Sequence, residues 1–167
     1  MPSDVITAAL VRRLRTSDAI SDEDVEVIRR LPVTVKDYPA GASSWKFMRA
    51  AELDGAAGQE LILNIGSSVR IMNDARGTAV SHPVGAASWA LMDVIDTDGR
   101  PGNELVFNAG SAVNIFRGVD NSSFTYPVAA AWSYLGASDL DGKPGLELRI
   151  NAGGRTRVIN DRLRTIT

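Results

Sequence analysis

Three tryptophans, Trp45, Trp89 and Trp132, stand 44 and 43 residues apart, and each opens a copy of the same pattern. Seven residues after each comes an acidic-x-Asp-Gly group: Glu52-Leu53-Asp54-Gly55, Asp96-Thr97-Asp98-Gly99 and Asp139-Leu140-Asp141-Gly142. A Gly, a Glu-Leu pair, an Asn and another Gly follow in the same order: Gly58, Glu60-Leu61, Asn64 and Gly66 in the first copy. Their counterparts are Gly102, Glu104-Leu105, Asn108 and Gly110, then Gly145, Glu147-Leu148, Asn151 and Gly153. Similarity at a fixed period marks a repeat architecture, in which each unit buries its apolar face against a neighbour.

The period within each copy is two. Leu61-Ile62-Leu63, Val69-Arg70-Ile71, Leu105-Val106-Phe107, Val113-Asn114-Ile115 and Leu148-Arg149-Ile150 are short strand signals bounded by Gly, Asn, Asp or Pro. The Asn-x-Gly after each Glu-Leu strand predicts a hairpin connection, because both residues tolerate positive φ. Each repeat then holds four strands: one at the Trp, one at Glu-Leu, one after Asn-x-Gly and one before the next Trp (Thr78-Ala79-Val80, Ser123-Phe124-Thr125). Arg164-Thr165-Ile166 is a further candidate of the fourth kind, and Val33-Thr34-Val35 precedes Trp45 in the same way, which would let the two ends pair.

Residues 1–32 follow another rule. Ile6, Leu10 and Leu14 share a helical face behind Ser3 as N-cap, and Ser21 with Asp24 forms a capping box for a second helix that Pro32 ends. The expected organisation is a helical appendage over 1–32 and a β domain over 33–167, with repeats at about 33–77, 78–121 and 122–167.

Charge and composition narrow the function classes. A net charge of −2 supplies no field to attract nucleic acid or an anionic membrane. The absence of cysteine removes disulfides and thiolate metal sites. The first residues have no basic segment leading into an apolar stretch, and no apolar run approaches the roughly 18 residues of a membrane span. The expectation is a cytoplasmic protein with no nucleic-acid or membrane partner.

The core of the second copy, Asp96-Thr97-Asp98-Gly99-Arg100-Pro101-Gly102-Asn103-Glu104 with Leu105, resembles the FG-GAP and VCBS repeats of integrin-like β-propellers. The resemblance covers residues 33–167. It implies four-stranded blades, a role in binding protein or glycan, and loops that commonly hold Ca²⁺. The implied ligands are Glu52, Asp54 and Glu60; Asp96, Asp98 and Glu104; Asp139, Asp141 and Glu147. Where that family places a further Asp or Asn, this chain has Ala56, Arg100 or Lys143, and a cation there would repel Ca²⁺ or occupy the site itself. The plainer reading is an Asp-Gly turn whose carboxylates accept backbone N–H groups.

The copy number leaves two architectures open. Propellers have about four to eight blades, so three would need a second chain and would form half of a six-bladed ring in a homodimer. Three units could instead close as a β-trefoil or β-prism, with lectin-like threefold sites. A second, weaker similarity joins Leu10-Val11-Arg12-Arg13-Leu14, Ile20 to Asp24, Leu31-Pro32-Val33 and Tyr38-Pro39-Ala40-Gly41 to the N-terminus of Crp/Fnr-type regulators. The phosphate-binding cassette and helix-turn-helix of that family have no counterpart here, so no ligand is carried over.

Other candidates are weighed the same way. A Trp repeated at one place in each unit is more simply a packing residue than a sugar platform. Tyr38, Phe124 and Tyr126 fall outside the repeat and are the better candidates for a ligand surface. Arg155, Arg157, Arg162 and Arg164 alternate with uncharged residues, as on the solvated face of an edge strand. His82 is the only histidine, no nucleophile or nucleotide motif occurs, and the paired carboxylates recur threefold. The sequence therefore predicts a non-catalytic all-β binding module engaging a protein or glycan, with itself as one partner and Ca²⁺ as the only cofactor in question; the alternatives are a threefold-symmetric lectin and a calcium-dependent enzyme or accessory domain.

Overall fold

Period-two patterning and the Asn-x-Gly turns resolve into twelve strands in a computed structural model that describes residues 38–167. The helices expected over 1–32, and the strand expected at 33–35, lie outside the described residues. The first sheet holds β1 (Lys46–Ala51), β2 (Glu60–Asn64), β3 (Ser68–Asn73) and β4 (Thr78–Pro83). The second holds β5 (Ala90–Ile95), β6 (Glu104–Asn108), β7 (Ala112–Arg117) and β8 (Ser122–Pro127). The third holds β9 (Trp132–Ser138), β10 (Glu147–Ala152), β11 (Arg155–Asn160) and β12 (Thr165–Ile166). Each sheet is an antiparallel meander in chain order, and no helix occurs among the described residues. Each sheet starts at its Trp and takes the strand before the next Trp as its fourth, so the structural units are offset from cuts at 77 and 121.

The local chemistry accounts for the turns. Asn64 Oδ1 accepts the Gly66 N–H at 2.9 Å, and Asn108 Oδ1 accepts the Gly110 N–H at 2.9 Å. The glycines that follow take φ of 85° and 74°, which a side chain at Cβ would disfavour. Each first strand carries a one-residue bulge at the same place, skipping Met48, Met92 and Leu135 in the register with its neighbour. A bulge turns the extra side chain out of the alternation.

Two apolar cores hold the sheets together. Leu53, Ile62 and Val69 of the first sheet and its loop pack with Leu105, Phe107 and Phe116 of the second. Val106, Val113 and Ile115 from the other side of the second sheet pack with Leu148, Ile150 and Ile159 of the third. The alternating side chains of β6 thus serve both cores, which is why every residue from Glu104 to Phe107 is buried. No core of the described residues joins the third sheet to the first, as a closed threefold trefoil or prism requires. β11 lies between β10 and β12, so its arginines stand on an interior strand and not on the edge the sequence suggested.

Candidate functional site

The three acidic loops join the first and second strands of each sheet. Each gathers its three carboxylates so that one oxygen from each lies within 4.8 Å of the others: Glu52, Asp54 and Glu60; Asp96, Asp98 and Glu104; Asp139, Asp141 and Glu147. All nine residues implied by the resemblance are therefore brought together as three triads.

Their oxygens are turned toward N–H donors of the same loop. Glu52 accepts the amides of Asp54 (2.8 Å) and Gly55, while Asp54 Oδ1 accepts Ala56 N–H at 2.9 Å. Glu60 Oε2 accepts Leu53 N–H at 2.8 Å, so the strand-starting Glu ties the loop back to its own beginning. The second loop repeats this through Asp96, Asp98 and Glu104 Oε2, which takes Thr97 N–H at 2.6 Å. In the third, Leu140 N–H reaches Glu147 Oε2 at 2.8 Å.

A second set of donors arrives from the last residue of the third strand. Asn73 Nδ2 donates to Asp54 Oδ2 and Glu60 Oε1, both at 2.9 Å. Asn160 makes the equivalent bonds to Asp141 (3.3 Å) and Glu147 (2.9 Å). Guanidinium groups complete each loop. Arg76 meets Asp54 Oδ2 at 2.9 Å, Arg117 meets Asp98 Oδ2 at 3.0 Å, and Arg162 meets Asp141 Oδ2 at 2.7 Å. The cation therefore comes from the end of the third strand or the turn after it. Of the residues the sequence put forward, Arg100 stands 3.7 Å from Asp98, and Lys143 contributes its backbone N–H to Asp141.

Ca²⁺ takes about six to eight oxygen ligands. Asp54 and Glu60 already accept at both oxygens, and a guanidinium occupies the outward oxygen of the central Asp in every loop. As arranged, this donor set does not fit Ca²⁺; it fits a turn closed by an internal ion pair.

The middle copy departs from its neighbours. Arg117 stands where the others have Asn73 and Asn160, and it binds a further carboxylate, Asp161 Oδ2, at 2.5 Å. Asp161 is fully buried and comes from the third sheet's turn. It also accepts from Thr97 Oγ1 (3.1 Å), Tyr126 Oη (2.5 Å) and Arg164 (2.5 Å). Arg164, at φ 60°, lies over the Phe124 ring. Burial pushes the Tyr126 phenol up to about 12, and Asp161 as its acceptor adds to this. Tyr126 and Phe124 are therefore parts of a polar lock between the second and third sheets, and not the ligand surface expected of them. Between the first and second sheets the corresponding residues are Asn73, Leu53, His82, Gly118 and Asn121. With histidine in place of Tyr126, glycine in place of Asp161 and asparagine in place of Arg164 and Arg117, a cleft of about 190 Å³ remains, lined by Leu53, His82, Gly118 and Asn121. Burial lowers the pKa of His82, which packs 4.2 Å from Phe116.

Replacing Asn by Arg117 also changes Glu104. No amide equivalent to that of Asn73 reaches it, and burial pushes its carboxyl up to about 7, with the charges of Asp98 and Asp96 acting in the same sense against the Thr97 hydrogen bonds. Glu60 is also raised, mainly by burial.

The tryptophans divide. Trp89 Nε1 donates to Gly66 O of the preceding sheet's hairpin at 2.7 Å, and Trp132 Nε1 donates to Gly110 O at 2.8 Å. Trp89 also packs edge-on to Phe107 at 5.1 Å. Both act between sheets, as the packing reading expected. Trp45 is 55% exposed, and Phe47 and Leu61 of the first sheet are exposed as well. At the other end Leu135, Leu140 and Leu163 are exposed on the third. No protein-family model matches this chain, and neither a curated protein nor a solved structure matches it.

Proposed function

We propose that this chain is a non-catalytic interaction module, built of propeller-type blades, whose two terminal sheets engage a protein partner. The observation that carries this reading is the distribution of exposed apolar side chains. Among the described residues, Trp45, Phe47 and Leu61 of the first sheet unit and Leu135, Leu140 and Leu163 of the third are large exposed hydrophobics; Val80 lines the cleft toward the second sheet, and Val119 alone belongs to the middle unit. Large apolar groups gathered on a surface mark interaction sites more often than scattered ones do.

The blade reading is supported by the chain-order meanders and by inter-sheet contacts that recur from one copy to the next. The carboxylate loops serve this role as rigid, ion-paired turns that hold each sheet against its neighbour. Protein is favoured over glycan because the exposed groups are aliphatic as well as aromatic.

The test is capture by the immobilised full chain from an extract of its source cell, with partners identified by mass spectrometry. Partners, another copy of the chain included, should be lost with Phe47→Glu or Leu135→Glu and kept with Val119→Glu. Identical capture by all three variants, or none by the unaltered chain, would contradict the reading.

A further inference from the structure

The two internal sheet-to-sheet seams are copies of one another, and the two faces that the described residues leave open carry the unmatched halves of a third. At the first seam Trp89 donates to Gly66 O, and Asn103 N–H donates to Glu52 O at 3.1 Å. At the second, Trp132 donates to Gly110 O, and Leu146 N–H donates to Asp96 O at 2.9 Å. In both, the later loop presses on the earlier one. A Cβ added at Gly102 would stand 2.5 Å from Leu53 O, and one at Gly145 would stand 2.8 Å from Gly99 N. A Cβ added at Gly55 would strike Pro101 at 2.6 Å, and one at Gly99 would strike Pro144 at 2.5 Å.

The repeat places each missing half by number. The first sheet offers Trp45, Gly58 and Gln59 where the others use Trp89, Gly102 and Asn103. The third offers Asp139, Gly142 and Gly153 where the others use Glu52, Gly55 and Gly66. An added Cβ at Gly58 or Gly142 meets nothing within 4 Å, unlike its counterparts in the seams. The apolar side chains agree. Leu105 and Leu148 are 0% exposed because a preceding sheet covers them, whereas Leu61 is 44% exposed. The bulged Met48 and Met92 pack into the cores with the following sheet, whereas bulged Leu135 is 48% exposed. Leu53 is buried beneath the next turn at Gly118, whereas Leu140 is 53% exposed.

We propose that a second copy of this chain closes these faces head to tail, with Trp45 of one copy donating to Gly153 O of the other and Leu140 covered at Asp74. This rests on the interaction-module reading and names its partner. The occupant is a second copy because both complementary halves lie on one chain and continue an interface the chain already makes twice. A twofold axis makes the two new seams identical, and the closed body has six sheets, within the range of about four to eight that such rings adopt.

The experiment uses the full chain. Its solution mass across a dilution series should reach twice the 17.8 kDa of one copy. Trp45→Ala and, at the opposite face, Leu140→Glu should each weaken the dimer by about tenfold or more, as truncation at the centre of an interface does. Circular dichroism should remain that of the unaltered chain, since both side chains are exposed in one copy. Because the chain has no cysteine, Asp74→Cys and Leu140→Cys chains can be mixed and oxidised. The equivalent positions at the first seam, Gly118 and Leu53, would bring their Cβ atoms to 2.7 Å before relaxation, within the reach of a disulfide after it. A covalent pair should form only in the mixture. A monomer at every concentration, a dimer indifferent to both variants, or a mixture without cross-link would each overturn the seam. The interaction-module reading would survive a monomer if capture still returned another partner lost with Phe47→Glu, and would fall with the seam if it did not.

Discussion

Glu104 makes folding sensitive to pH in a direction opposite to that of most carboxylates. Its side chain is 1% exposed, its carboxyl is raised from the ordinary 4.5 to about 7, and burial is the leading cause. The folded chain therefore holds a proton there that the unfolded chain releases. Sign follows from linkage: stability from this group is complete below pH 4.5 and is lost as pH rises through about 7. The gap between those values, at about 1.4 kcal/mol for each pH unit, is worth about 3 kcal/mol. Glu104→Gln keeps a neutral acceptor of similar shape for Thr97 N–H and has no proton to lose. Urea unfolding of both proteins at several pH values between 4.5 and 8 measures the difference. The variant should gain on the unaltered chain as pH rises, by about 3 kcal/mol in the limit, on top of a level offset of about 1 kcal/mol against it from a weaker hydrogen bond. Glu60 is raised in both proteins and so cancels from the comparison. A difference between the two that stays level across this range would refute the reasoning.

Other perturbations bear on separate contacts. Arg117→Met leaves Asp161 and Asp98 buried without their shared cation and should cost about 3–5 kcal/mol in urea unfolding, with Asp161→Asn recovering part of it in the double variant. Gly102→Ala should destabilise more than Gly58→Ala in thermal unfolding of the monomer, because both have positive φ but only Gly102 lies against Leu53 O. Replacing EGTA with millimolar Ca²⁺ should leave the melting temperature unchanged, since a ligand of the folded state would raise it. Arg76→Ala, which removes the exposed partner of Asp54, should cost under about 1 kcal/mol.

Much of the fold was legible because the repeat and the strand period are local signals. The Asn-x-Gly turns, the strand before each Trp and the gathering of three carboxylates per loop all follow from residues close in sequence. The groups that close the loops did not follow. Asn73 and Asp54 are separated by 19 residues, as are Asn160 and Asp141, and only sheet formation brings them together. The cations within the loops are Arg100 and Lys143, whereas the fold delivers Arg76, Arg117 and Arg162. The signal for the polar lock was a departure from the repeat: Arg117 in place of Asn, and Asp161 where the second copy has Gly118. Tyr126 and Phe124 depart from the repeat in the same way, but the departure serves one inter-sheet contact and not a ligand. Exposure of Trp45, Leu61, Leu135 and Leu140 could not be read from residue type, because each has a buried or partly buried counterpart in the repeat.

The most direct measurement of the account is the behaviour of the three indole N–H signals in a ¹⁵N–¹H spectrum recorded over a dilution series. Trp89 and Trp132 donate within one chain and should be unaffected. Trp45 should share their hydrogen-bonded character when concentrated and lose it on dilution, as the partner's hairpin carbonyl leaves. A Trp45 signal that stays fixed while the concentration changes, in a protein whose mass shows no dimer, would contradict the claim that the chain's two open faces complete each other.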